Sequence, residues 1–141
     1  MSAYHPLSIP PRGGVLPLAG GTVRAGFPSP ASDHMESAID LHDYLVGDPL
    51  ATFMVRVKGD SMEGAGIDDG DLLVVDKGLT AHHGDIVVAV VDGEFTVKRL
   101  HQKRGCCALM PENPAYLPIV MEEGQELQVW GVVTACVKKF R

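Results

Sequence analysis

Beyond residue 50 the chain alternates short apolar runs with turn residues, the pattern of a strand-rich protein. Runs rich in β-branched and other apolar residues fall at 53–58, 71–76, 85–92, 94–101, 106–110 and 127–139. Each is of strand length, and several are joined by Gly-Asp or Asp-Gly pairs. Asp92-Gly93 stands between two of these runs and predicts a two-residue hairpin, because an Asp-Gly pair tolerates the positive φ such a turn demands. The last run is long and apolar and holds the only tryptophan, Trp130. A run of that kind either lies partly in a homodimer interface or forms a central strand covered on both faces. One short helix is expected ahead of the strands: Asp40 can cap Leu41-His42-Asp43-Tyr44-Leu45-Val46, Gly47 ends it and Pro49 prevents its return. The first 30 residues break the pattern, with six of the ten prolines, five glycines and only two charged side chains, Arg12 and Arg24. Such a segment cannot form a core, so residues 1–40 are expected as a flexible, extended N-terminal arm and 41–141 as a β-rich domain, giving a mainly β fold.

Composition narrows the function. At 141 residues and 45% hydrophobic the chain suits one domain with a real core, and no stretch is long and apolar enough to span a bilayer. The run Val15-Leu16-Pro17-Leu18-Ala19 is broken by proline and flanked by glycine pairs, unlike the apolar region of a secretion signal, so a cytoplasmic location and no membrane partner are expected. A net charge of −6 argues against a surface that holds a nucleic-acid backbone itself, and any link to DNA is expected through a protein partner. Cys106, Cys107 and Cys136 are odd in number and lack C-x-x-C spacing; the adjacent pair reads as packing residues in a reducing compartment. His82-His83 reads as a solvated loop. No metal or cofactor is expected.

The chemistry-bearing residues are a serine in the tight segment Gly59-Asp60-Ser61-Met62 and a lysine deep in the run Glu94-Phe95-Thr96-Val97-Lys98-Arg99-Leu100. A lysine amine, with an ordinary pKa of ~10.4, is a useful base at neutral pH only if it is pushed far down, and burial among apolar groups does this. A serine hydroxyl beside such an amine becomes an activated nucleophile. Alternation along the strand puts Thr96 and Lys98 on one face and Phe95, Val97 and Arg99 on the other. Thr96 then either offers its hydroxyl oxygen to the amine or is simply a β-forming residue. Taken singly, Ser61 also fits a turn serine and Lys98 a solvent-facing strand lysine.

Five separated motifs occur in one order: Gly59-Asp60-Ser61-Met62, Ile67-Asp68-Asp69-Gly70-Asp71-Leu72-Leu73, Gly84-Asp85-Ile86-Val87, the hairpin from Asp92 to Lys98, and Pro111-Glu112-Asn113-Pro114. Over residues 26–141 they resemble the LexA/UmuD family of self-cleaving Ser-Lys proteins. The repressors of that family carry a helix-turn-helix domain ahead of the cleavage site, and the Pro/Gly-rich arm found there instead points to the UmuD branch. The resemblance implies a scissile Ala-Gly or Cys-Gly bond upstream of the serine, and Ala25-Gly26 in the arm supplies one, whereas Gly64-Ala65-Gly66 and Arg104-Gly105 lie within the expected core. Neutral Lys98 would take the proton of Ser61, whose oxygen attacks the Ala25 carbonyl. The backbone N–H groups of Ser61 and Asp60 would face the oxyanion, with Met62 in support, while the Asp60 carboxylate is expected to point away from Lys98. For this branch the resemblance further implies an SOS-response regulator stimulated by a RecA filament on single-stranded DNA. Its truncated homodimer would be the accessory subunit of an error-prone translesion polymerase of the UmuC-like Y family, with no sequence-specific DNA binding of its own. Two other readings stay open, a LexA-like or signal-peptidase-like Ser-Lys protease acting on other chains and a non-catalytic β interaction module.

Overall fold

Residues 14–27, 35–122, 124, 125 and 127–141 are described by the structure, a computed structural model. The chain divides into two units, Met1–Leu45 and Val46–Arg141. In the first, strand β1 (Val15–Ala19) pairs antiparallel with β2 (Met35–Asp40), with Val15 opposite Asp40 and Leu18 opposite Ser37. This ladder is a departure from an arm expected to be extended without regular pairing. Among the described residues this ladder has two strands, each with one unpaired edge, and such edge positions are where proline is tolerated in a sheet. Helix α1 (Leu41–Leu45) follows β2 directly, and the Asp43 N–H donates to Asp40 Oδ1 at 3.2 Å, the capping contact expected of Asp40. The helix thus belongs with the arm's strands, and the boundary between the units falls after Leu45.

The second unit is built on one antiparallel sheet. Its strands are β3 (Thr52–Arg56), β4 (Leu72–Asp76), β5 (Ile86–Val91), β6 (Glu94–Lys103), β7 (Cys106–Met110), β8 (Ile119–Val120) and β9 (Gln128–Val137), in the order β3-β4-β9-β5-β6-β7-β8. The hairpin at Asp92-Gly93 has φ of 50° and 80°, and Arg104-Gly105 makes the same kind of turn between β6 and β7 with φ of 55° and 74°. The long strand β9 lies between β4 and β5: Val132–Val137 runs along β4, and Gln128–Val132 along β5. It is thus central in the sheet, but only Gly131 and Val132 of it are buried, so it is not the strand covered on both faces. Irregularities in the two ladders leave Thr134 and Trp130 without a partner opposite, and such bulges re-aim side chains. Trp130 packs on Phe53 and Phe95, with ring centroids 4.3 and 4.5 Å away.

Alternation along β5 distributes the core over both faces of the sheet. Val88 joins Met62, Ile67, Leu73 and Val75 in one cluster, while Val87 and Ala89 join Leu100 and Leu109 in the other. On β7 the same alternation sends Cys107 against the second cluster and leaves Cys106 exposed, so only one of the adjacent cysteines packs as expected. No helix among the described residues is long and apolar enough to cross a membrane.

Candidate active site

The serine loop leaves β3 and enters a short 3-10 turn at Glu63–Ala65. Met62, 3% exposed, is sunk in the first core cluster and anchors the loop from below. The loop is held on two further sides. The Gly59 N–H donates to Asp69 Oδ1 at 2.7 Å, fastening it to the 68–71 turn. That turn is tied in turn to the end of the chain, where Lys138 pairs with Asp68 and Asp71 and holds the Asp71 carboxyl below its ordinary range. On the other side lies the segment after β7. The Glu112 N–H donates to Ser61 O at 2.8 Å, the Gly64 N–H to Glu112 O at 2.8 Å, and Asn113 Nδ2 to Asp60 O at 2.9 Å. Arg99 fixes this segment by donating through Nε to Glu112 Oε1 at 2.5 Å and through Nη1 to Gly84 O at 2.6 Å.

Lys98 comes to Ser61 from β6, 37 residues away, with Nζ 3.0 Å from Ser61 Oγ. The same nitrogen lies 2.8 Å from Thr96 Oγ1 and 3.1 Å from the Val97 carbonyl oxygen. The lysine is 9% exposed, and burial pushes its pKa down. Of the carboxylates in ion pairs among the described residues, none is paired with Lys98. The Asp60 carboxylate is engaged elsewhere, accepting from the Tyr116 hydroxyl at 2.5 Å. Ser61 and Lys98 open onto a cleft of about 230 Å³, walled by Val55, Val57, Met62, Val88, Phe95 and Val97, with Arg56 and Lys58 also along its lining.

Ser61, Lys98 and Thr96 are thus brought together, with Met62 beneath them. Ala25 and Gly26 are exposed in the other unit. Sequence reasoning gave no supporting role to Arg99 or Tyr116, and named Glu112, Asn113 and Asp69 only as members of motifs. The Pro111-Glu112-Asn113-Pro114 motif was visible as a turn, but its grip on the serine loop spans about 50 residues of sequence and no local pattern announces it. Among the described residues, no three His, Cys, Asp or Glu side chains are placed to hold a metal ion.

A serine hydroxyl against a buried amine, with no acid partnering the amine, is the constellation of the Ser-Lys hydrolases. Residues 17–134 match the Peptidase S24-like family model, and the chain belongs to that family of serine endopeptidases, whose members include self-cleaving, SOS-related proteins. It is 54% identical to Protein SamA of Salmonella typhimurium over 83% of this chain and 81% of that protein. It is 49% identical to Protein MucA of Escherichia coli over 79% of this chain and 77% of that protein. These are relatives of the UmuD type. The LexA repressor of Syntrophotalea carbinolica is 45% identical over 92% of this chain, which spans 63% of the repressor's length.

Proposed function

We propose that this endopeptidase acts on its own chain, at Ala25-Gly26, and that the cut is a switch. The observation that carries the chemistry is the 3.0 Å approach of Lys98 Nζ to Ser61 Oγ at a buried position where the amine's pKa is depressed. Neutral Lys98 accepts the Ser61 proton as Oγ attacks the Ala25 carbonyl carbon, giving a tetrahedral oxyanion. The backbone N–H groups of Asp60 and Ser61 face that oxyanion, and one such donor is typically worth roughly 3–4 kcal/mol to the transition state. Protonated Lys98 then gives its proton to the leaving Gly26 amine, and water later releases the acyl group from Ser61. Thr96 and the Val97 carbonyl orient the amine throughout. Ala25 and Gly26 suit a substrate role because neither carries a bulky side chain and both are exposed.

In this reading the protein is a cytoplasmic SOS-response regulator whose cleavage is stimulated by a RecA filament on single-stranded DNA. The product, residues 26–141 as a homodimer, serves a UmuC-like Y-family polymerase as its accessory subunit in translesion synthesis. Its close likeness to SamA and MucA supports this branch, and the net charge of −6 favours a protein partner over direct contact with DNA.

The test is incubation of the purified chain at neutral pH with and without a RecA filament. A fragment beginning at Gly26 that accumulates faster with the filament, and not at all in Ser61→Ala, is expected. Cleavage of added foreign chains with the arm left intact would favour a protease acting in trans.

A further inference from the structure

A carboxylate one residue from a nucleophile that depends on a neutral lysine is a hazard. If it reached the amine it would stabilise the ammonium form and disable the base. Asp60 is such a residue. It is exposed, on the loop that carries Ser61 beside the cleft into which Lys98 opens, so burial does not hold its carboxylate away from the amine. The turn at 113–116 holds Asp60 at two points: Asn113 Nδ2 donates to its backbone carbonyl and the Tyr116 hydroxyl to its Oδ1 at 2.5 Å. The turn is itself braced, since the Ala115 N–H donates to Asn113 Oδ1 at 2.9 Å and the Tyr116 N–H to Asn113 O at 3.1 Å. Tyr116 is 43% exposed, so filling the core is not its main task.

We infer that Tyr116 is a positioning residue for the Ser61–Lys98 pair, acting through Asp60: its hydroxyl tethers the carboxylate of the serine loop and so keeps the Lys98 amine without an ionic partner. The inference rests on the reading of Lys98 as the base. The other charged groups near the amine do not take over this role. Arg56 and Lys58 are cations, with Arg56 donating to Gly70 O; β5 presents Val87 opposite Lys98; Glu112 is engaged by Arg99; and Glu63 lies on the exposed 3-10 turn beyond the serine. The Tyr116 hydroxyl is pushed toward higher pKa chiefly by its bond to Asp60, which favours its protonated, donating form.

The test reads Lys98 directly, in full-length protein with lysine labelled at the ε carbon and Ser61→Ala added to stop cleavage. Titration by NMR should place the Lys98 midpoint about half a pH unit or more higher in Tyr116→Phe. Adding Asp60→Asn to Tyr116→Phe should remove the shift. With Ser61 intact, Tyr116→Phe should cleave itself about threefold more slowly below the inflection and reach the parent's rate on the alkaline plateau. An unmoved midpoint, a shift that survives Asp60→Asn, or a lower plateau at an unmoved inflection would each overturn the inference and leave Tyr116 a structural brace. Because the titration needs no cleavage, its outcome is separate from failure of the wild type to cut itself, which would sink the proposed function instead.

Discussion

A neutral amine has two protons and one lone pair, and Lys98 Nζ has three polar neighbours to match: Thr96 Oγ1 at 2.8 Å, Val97 O at 3.1 Å and Ser61 Oγ at 3.0 Å. Donating to the first two and accepting the Ser61 proton satisfies all three, whereas an ammonium has three protons and no lone pair to offer the serine. Self-cleavage should therefore rise with pH through the depressed pKa of Lys98 and then level off, and Lys98→Arg, which cannot deprotonate, should be inactive at every pH tested by rate measurements from pH 6 to 10. A flat profile in the wild type contradicts this. The same burial has a stability signature. With its pKa lowered in the folded state, Lys98 holds a proton in the unfolded chain at pH values where the folded protein has released it. Stability then rises as pH climbs from the depressed value toward the ordinary ~10.4. Lys98→Met carries no such penalty, so its denaturation midpoint should exceed that of the wild type at pH 7, with the gap closing toward pH 10.

At the scale of elements, the site is a meeting of three pieces: the serine loop after β3, strand β6, and the segment after β7. Gly64 is where two of them touch, since a Cβ there would stand 2.5 Å from the Glu112 carbonyl oxygen, a backbone atom that cannot swing aside. Gly64→Ala should cost about 1–3 kcal/mol in chemical denaturation and slow cleavage as well, because the loop must lift away from Glu112. Much of this architecture is written locally. Six of the seven strands of the main sheet match runs of apolar residues to within two residues at most ends, and the hairpin at Asp92-Gly93 follows from its pair of turn residues. The two-residue strand β8 is too short to show alternation. The pairing of β1 with β2 escapes because Pro17 interrupts the apolar run, and the partner strand lies beyond a proline-rich stretch. The same division holds at the site. Ser61 and Lys98 stand out through the family motifs that carry them, and Thr96 through its alternation with Lys98 along the strand, but Tyr116 and Arg99 act across folds of the chain and become visible only when β6 and β7 are side by side.

At the scale of the whole molecule, in the proposed function the sheet builds the nucleophile and the arm serves as its substrate. A Cβ at Gly26 would meet nothing within 4 Å, and its φ is not in the left-handed region, so glycine is not needed there in the resting structure. Any demand for glycine arises when the bond approaches Ser61. Gly26→Val should accordingly leave the melting temperature unchanged while blocking self-truncation, and cells carrying it should lack damage-induced mutagenesis that a chain starting at Gly26 restores. Wild-type mutagenesis in cells carrying Gly26→Val would detach the switch from the cut. The product is expected to be a homodimer, and because β9 is already paired with β4 and β5, a partner would meet chiefly its exposed side chains, such as Thr134 and Cys136. Sedimentation at micromolar concentration should give twice the chain mass. The central claim, that Ser61 and Lys98 of this chain cut its own Ala25-Gly26 bond, is tested most directly by intact-mass spectrometry after alkaline incubation of the protein alone. The account predicts a fragment beginning at Gly26 from the wild type and none from Ser61→Ala or Lys98→Ala, both still folded; the same fragment from either variant would contradict it.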